Sequence, residues 1–223
     1  MISESLPGPN PFDAMFASRH TVLRSADGEL RRWPVNRWCG VDDVDAVEAG
    51  SVDHEFDTRI ADRCRGATID LGCGPGRLVD VLVARRMIAL GVDSSTVAVS
   101  MARRRGITVL LRDIHGPLPG EGRWTTALLI DGNVGIGGAP ARVLARAAEL
   151  VHRGGTIVVE IDPAVEHVEY DTVRVEGDEY ASSWFPWARI GLLGAENLSG
   201  CCGLTIEGTW EHGGRQVVEM SRP

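Results

Sequence analysis

Through the middle of this chain, short continuous apolar runs alternate with stretches in which apolar residues recur every three or four positions. The runs are Ala67–Leu71, Met87–Val92, Ile107–Leu111, Thr125–Asp131 and Thr156–Asp162. Runs of this length predict strands buried on both faces. The periodic stretches Leu78–Arg86, Thr96–Arg105 and Pro140–His152 predict helices, the last with Arg153-Gly154-Gly155 as its stop signal. Pro117–Arg123 is rich in turn residues and predicts a loop. Alternating strands and helices predict a parallel sheet covered on both faces. Asp70, Asp93, Asp113 and Asp131 all fall at carboxyl ends of strands, the rim where such sheets bind ligands.

The flanks read differently. Residues 1 to about 12 hold Pro7, Gly8, Pro9 and Pro11 and predict an irregular tail. Thr21–Ser25 and Leu30–Val35, joined through Asp27-Gly28, predict a hairpin. Asp42–Cys64 predicts a helix, with Gly50-Ser51 as an interruption. Beyond Asp162 the segments Tyr170–Val175 and Glu179–Arg189 alternate, Ile190–Gly200 predicts a short helix, and Leu204–Trp210 with Arg215–Met220 predicts a terminal hairpin around His212-Gly213-Gly214. Residues 1–64 are thus expected to form a cap or lid segment with a first helix. Residues 65–223 are expected to form the core, with an insert near 165–190.

Composition narrows the chemistry. The 223 residues are 43% hydrophobic and 24% charged, ordinary for a soluble globular protein. No apolar run reaches the length of a membrane span, and Met1-Ile2-Ser3-Glu4-Ser5 does not read as a secretory start, so a cytoplasmic location is expected. The net charge of −8 argues against nucleic acid as a partner, and Arg103-Arg104-Arg105 reads as a solvated helix end. The chain has no lysine, which excludes Schiff-base and phosphate-loop lysine chemistry. Cys39, Cys64, Cys73, Cys201 and Cys202 lack C-x-x-C spacing and the six histidines are scattered, so neither a disulfide framework nor a metal site is expected.

The densest signal is Asp70-Leu71-Gly72-Cys73-Gly74-Pro75-Gly76, a glycine-rich turn between a strand and a helix. Glycines let backbone approach a ligand closely, and the following helix start offers N–H groups. The dinucleotide fingerprint G-x-G-x-x-G is broken, because the third glycine comes one position early and Arg77 takes its place. Asp70 would repel a pyrophosphate and attract an ammonium or sulfonium group.

This turn resembles the first motif of the class I S-adenosylmethionine-dependent methyltransferases. Gly91-Val92-Asp93-Ser94-Ser95 resembles their second strand end, and Leu150-Val151-His152-Arg153-Gly154-Gly155 the turn before their fifth strand. The resemblance spans about residues 67–162. It implies a Rossmann-like, seven-stranded, mostly parallel α/β sheet with helices on both faces and an antiparallel C-terminal hairpin. It implies S-adenosyl-L-methionine as cofactor and S-adenosyl-L-homocysteine as product. Gly72, Cys73, Gly74 and Gly76 would pack against the amino-acid part and sugar, with Asp70 near the ammonium. Asp93, beside Ser94, would accept from the ribose hydroxyls. Asp113 would accept from the adenine amino group, with the Ile114 N–H facing the ring. Asp131, Gly132 and Asn133 would border the methyl donor.

The acceptor half is less legible. The Asp-Pro-Pro-Tyr type of motif of base-amino methyltransferases is replaced by Asp131-Gly132-Asn133-Val134, which favours a small-molecule acceptor. Trp38, Trp184, Trp187 and Arg189 are the candidate acceptor contacts, with Arg19, His20 and Trp33 nearby in the amino-terminal hairpin and Phe185 in the insert. Packing against the sheet edge is the alternative for the aromatic residues. His20 and Glu160 are candidate bases, with structural roles as the alternative, and no catalytic residue is assigned. An NAD(P)-dependent oxidoreductase and a non-catalytic cofactor binder are the rival functions.

Overall fold

Two β-sheets organise the chain. The computed structural model describes residues 10–13, 15–17, 21–33, 35–39, 47–177 and 180–223. Arg19 and His20 lie outside the described residues.

In chain order the elements are β1 (Val22–Ser25), β2 (Leu30–Arg32), α1 (Val35–Cys39), α2 (Val47–Arg63), β3 (Thr68–Leu71), α3 (Arg77–Ala84), β4 (Ala89–Asp93), α4 (Thr96–Arg104), β5 (Val109–Leu111), β6 (Trp124–Leu129), α5 (Pro140–Leu150), β7 (Val151–Ile161), β8 (Val168–Gly177), β9 (Tyr180–Ala181), β10 (Phe185–Ile190), α6 (Leu192–Cys201), β11 (Thr205–His212) and β12 (Arg215–Ser221). The larger sheet has seven strands in the order β11-β12-β7-β6-β3-β4-β5. Neighbours from β7 to β5 run parallel, and the β11–β12 hairpin joins antiparallel to β7. The chain moves outward from β3 to β5 and then returns to the other side of β3 as β6. That reversal opens a crevice at the carboxyl ends of β3 and β6.

Both faces of this sheet are covered, which is why its strands read as unbroken apolar runs. Ile69, Leu71, Ala127, Leu129, Ile157 and Val159 pack with Val143, Leu144 and Ala147 of α5. On the opposite face, Leu128 and Val158 pack with Phe56 and Ile60 of α2 and Leu78 and Leu82 of α3. By the two-residue period of a strand, Asp70 falls on the α2–α3 face, between Ile69 and Leu71. It is therefore buried inside the fold, 3% exposed.

Two expectations are corrected. Helix α2 runs unbroken through Gly50 and Ser51. Helix α5 stops at Leu150, before the expected glycine signal, and β7 begins at once at Val151. Gly154 instead serves a strand end, donating to Arg222 O at 2.6 Å, while Arg222 N donates back to Gly155 O at 3.0 Å. The flanks pair with each other. The amino-terminal hairpin and the segment after β7 build one antiparallel sheet, ordered β10-β8-β1-β2 with β9 on β8. Leu23 pairs with Val175 and Ser25 with Val173. Met15, Leu23, Val35, Val173, Val175 and Trp187 form its own small core. No described helix is long and apolar enough to cross a membrane.

Candidate functional site

The glycine turn needs its glycines. Gly76 precedes α3 at φ 85°, and a Cβ there would come within 2.9 Å of Ile107. Gly72, at φ 79°, would drive a Cβ to 2.7 Å from the Asn133 side chain. Asn133 uses this closeness: its Nδ2 donates to Gly72 O at 2.8 Å and ties the β6 end to the turn across the crevice.

A single cavity runs along the rim, lined by Asp70, Gly72, Cys73, Gly74, Asp93, Ser94, Asp113, Ile114, Asp131 and Asn133. Gly76 and Gly132 shape the backbone on either side but do not line it. The order β6-β3-β4-β5 puts Asp131, Asp70, Asp93 and Asp113 on consecutive strands. At about 4.8 Å per strand they span about 14 Å, room for an extended nucleoside with a charged tail.

Each carboxylate has a distinct environment. Asp93 accepts from Gly74 N and Ser95 N, both at 2.7 Å, and so fixes the turn to the start of α4. Burial raises its pKa and these two N–H groups oppose the rise. Asp113 accepts from His115 N at 2.9 Å in a local turn. Arg146 holds that loop from α5, donating to Ile114 O at 3.0 Å and Gly116 O at 2.7 Å. Asp70 is pushed up to about 7 by burial first and by the Asp131 charge second, with Arg77 opposing. Burial, then Asp70 and Asp93, raises the Cys73 thiol well above its ordinary value, which keeps it protonated.

Asp131 stands in the left-handed region at φ 57°, a conformation costly outside glycine. It is over-determined by its partners. Its backbone N–H donates to Glu160, and its carboxylate lies between Arg77 at 2.7 Å and Arg215 at 2.8 Å. Arg77 also pairs with Asp57 of α2, and Arg215 with Glu160 at 2.7 Å. This network was not visible in the chain order, because its members come from α2, α3, β7, β12 and the β6 end. One signal was present: Arg77 opens α3, where the helix dipole disfavours a cation unless an acid answers it. Glu160, a candidate base, is taken up here and does not line the cavity.

On the acceptor side, Trp38 and Trp187 line the cavity, joined by Phe12, Met15, Phe16, Trp33 and Ile136. Trp184 does not reach it. That ring is 44% exposed on the outer side of the small sheet, with the Arg174 guanidinium 4.8 Å above it. Arg189 is also elsewhere, paired with Asp162 at 3.2 Å and Glu169 at 2.5 Å. The stretch around Phe12 is pinned over the rim. Asp13 accepts from the Ser95 hydroxyl at 2.6 Å and the Thr96 hydroxyl at 3.0 Å, and Asn10 donates to Ser94 Oγ at 3.0 Å.

No protein-family model and no curated protein sequence matches the chain. Solved structures do. A methyltransferase from Bacteroides fragilis, described as S-adenosylmethionine-dependent and crystallised with S-adenosyl-L-homocysteine, superposes with a TM-score of 0.75 at 15% identity, covering 97% of both chains. The 1,6-didemethyltoxoflavin-N1-methyltransferase of Burkholderia thailandensis has a TM-score of 0.56 at 16% identity, over 80% of this chain and 84% of that one. The magnesium protoporphyrin IX methyltransferase of Synechocystis has a TM-score of 0.59 at 15% identity, over 84% and 89%. The strand order, the terminal hairpin and these superpositions together establish that the chain has the class I S-adenosylmethionine-dependent methyltransferase fold.

Proposed function

We propose that the protein transfers a methyl group from S-adenosyl-L-methionine to a small-molecule acceptor. The observation that carries this reading is the row of carboxylates on four consecutive strand ends around a glycine turn. That donor set suits a ligand with an ammonium at one end and hydroxyl and amino donors along its length. It suits a dinucleotide poorly, since the pyrophosphate at the glycine turn would face Asp70. When bound, the cofactor supplies the activated methyl carbon.

The chain's own residues bind, orient and exclude water. Asp70 faces the ammonium, Asp93 accepts from the ribose hydroxyls, and Asp113 accepts from the adenine amino group beside the Ile114 N–H. Asn133 and the pinned Asp131 border the transfer site. The amino-terminal segment and the 165–190 insert close the acceptor side, and the protein acts in the cytoplasm.

Calorimetry with S-adenosyl-L-homocysteine and with NADH separates the leading reading from the oxidoreductase alternative. Binding of the first and not the second is expected; the reverse would sink the proposal. Methyl transfer in a labelled-cofactor screen of small molecules would then set aside a purely binding role.

Proton release gives a sharper test. Asp70, with a pKa of about 7 in the free protein, is largely protonated at pH 6. A neighbouring ammonium favours the ionised form and lowers that pKa. Binding of S-adenosyl-L-homocysteine at pH 6 should therefore release up to one proton. Affinity should rise by at most about tenfold per pH unit and level off above pH 7. Calorimetry in two buffers of different ionisation enthalpy measures this, and Asp70→Asn should abolish the release. Equal release from that variant would remove Asp70 from the ammonium site.

A further inference from the structure

Residues 10–13 and 15–17 form a strap across the cavity. Phe12, Met15 and Phe16 line it together with Gly74, Asp93 and Ser94. A Cβ on Gly74 would stand 3.6 Å from Phe16 Cζ, so the Phe16 ring rests against the glycine turn. Phe16 N donates to Phe12 O at 3.4 Å, and one short turn carries both rings with Asp13 between them. At the other end Asn10 holds Ser94 Oγ, beside Asp93. The strap therefore crosses the rim from the carboxylate proposed for the ribose to the glycine turn.

Two fastenings of different chemistry hold it down. One is apolar: Met15 is 1% exposed and packs in the small core with Leu23, Val173 and Trp187. The other is polar and centres on Asp13. Besides the Ser95 and Thr96 hydroxyls, Asp13 Oδ1 accepts from Val97 N at 3.3 Å. Helix α4 has no acid in its own first turn, and Asp13 brings it the negative charge that a helix start favours. Ser95 joins this fastening to the cofactor side. Its hydroxyl donates to Asp13 while its backbone N donates to Asp93.

We infer that Asp13 is the latch of this strap, and that its release from the start of α4 sets the rate at which S-adenosyl-L-methionine enters and S-adenosyl-L-homocysteine leaves. The inference rests on the methyltransferase reading above and adds how that site controls exchange. A ligand lying along Asp93 and Gly74 passes under Phe16 and the Asn10–Ser94 contact, so exchange requires the strap to lift. The polar fastening is the one that opens readily. A released carboxylate and the freed helix start both take water as partner, whereas an exposed Met15 gains nothing in exchange. Asp13 is a positioning residue: it acts through the strap. The open fraction it controls scales entry and exit alike.

Stopped-flow fluorescence of the full chain, with Trp33, Trp38 and Trp187 at the cavity as reporters, measures both rate constants for S-adenosyl-L-homocysteine. In Asp13→Ala association and dissociation should each rise about tenfold, the effect of losing one hydrogen bond to a charged group. Because both rates move together, Kd should stay within about threefold. Asp13→Asn keeps one acceptor oxygen and should fall between. Thr96→Val removes a single donor, leaves the strap's own residues intact and should raise both rates about threefold. Thermal unfolding shows which variants are folded.

Faster association is the decisive readout, since losing an ordinary binding or structural contact does not speed entry. Faster dissociation with unchanged or slower association would overturn the inference. So would wild-type rates in Asp13→Ala, or in Thr96→Val should Asp13→Ala not fold. If S-adenosyl-L-homocysteine fails to bind the wild-type chain, the methyltransferase reading falls and takes this inference with it; the other outcomes sink the inference alone.

Discussion

Asp93→Ala should weaken S-adenosyl-L-homocysteine binding on the order of 100-fold or more. A hydrogen bond to a charged group contributes about 1.5–3 kcal/mol, and the role proposed for this carboxylate is to accept from two ribose hydroxyls. The same carboxylate accepts from Gly74 N and Ser95 N. Its loss therefore also frees the glycine turn from α4, and ligand binding suffers from both causes. The fold should survive, because the desolvation cost of a buried Asp93 disappears with it. Calorimetry measures the affinity, and thermal unfolding monitors the fold. Unchanged affinity in a folded variant would remove Asp93 from the ribose site.

Arg215→Met should produce the largest loss of stability. The Arg215 side chain is 8% exposed and pairs with Asp131 and Glu160. Its guanidinium also lies 3.6 Å over the Phe56 ring, a contact methionine can partly replace. Removing one partner from a buried ionic cluster costs about 3–5 kcal/mol; here Glu160 loses its guanidinium and Asp131 loses one cation while keeping Arg77. For a chain of this size that corresponds to a fall in Tm of roughly 10 °C. A variant with wild-type Tm at pH 8 would show that the cluster contributes nothing net.

The seven-stranded sheet was legible because strands buried on both faces leave unbroken apolar runs, and each run here ends in an acid or near one. The glycine turn was legible because positive φ and close approach at Gly72 and Gly76 admit little else. The buried ionic cluster was not, since Arg77, Asp131, Glu160 and Arg215 are neighbours only across strands. On the acceptor side, composition pointed to tryptophans but could not assign their faces. Phe185 and Trp187 share a face of the small sheet, whereas Trp184 precedes β10 on the opposite parity and meets Arg174 outside. Arg189 shares the inner parity, yet two more residues of strand carry it about 7 Å beyond Trp187, to Asp162 and Glu169.

The pairing of β1 with β8 also sets an order of events during synthesis. The core strands find partners soon after they emerge, but Ser25 must wait for Val173. Closing so long a loop is entropically late, and proteins rich in such pairings fold slowly. The first strand to leave the ribosome can pair with β2 at once, but its place in the small sheet waits for β8. The aromatic end of the cavity, which includes Trp187 of β10, thus closes only after strands β3 to β6 have been made.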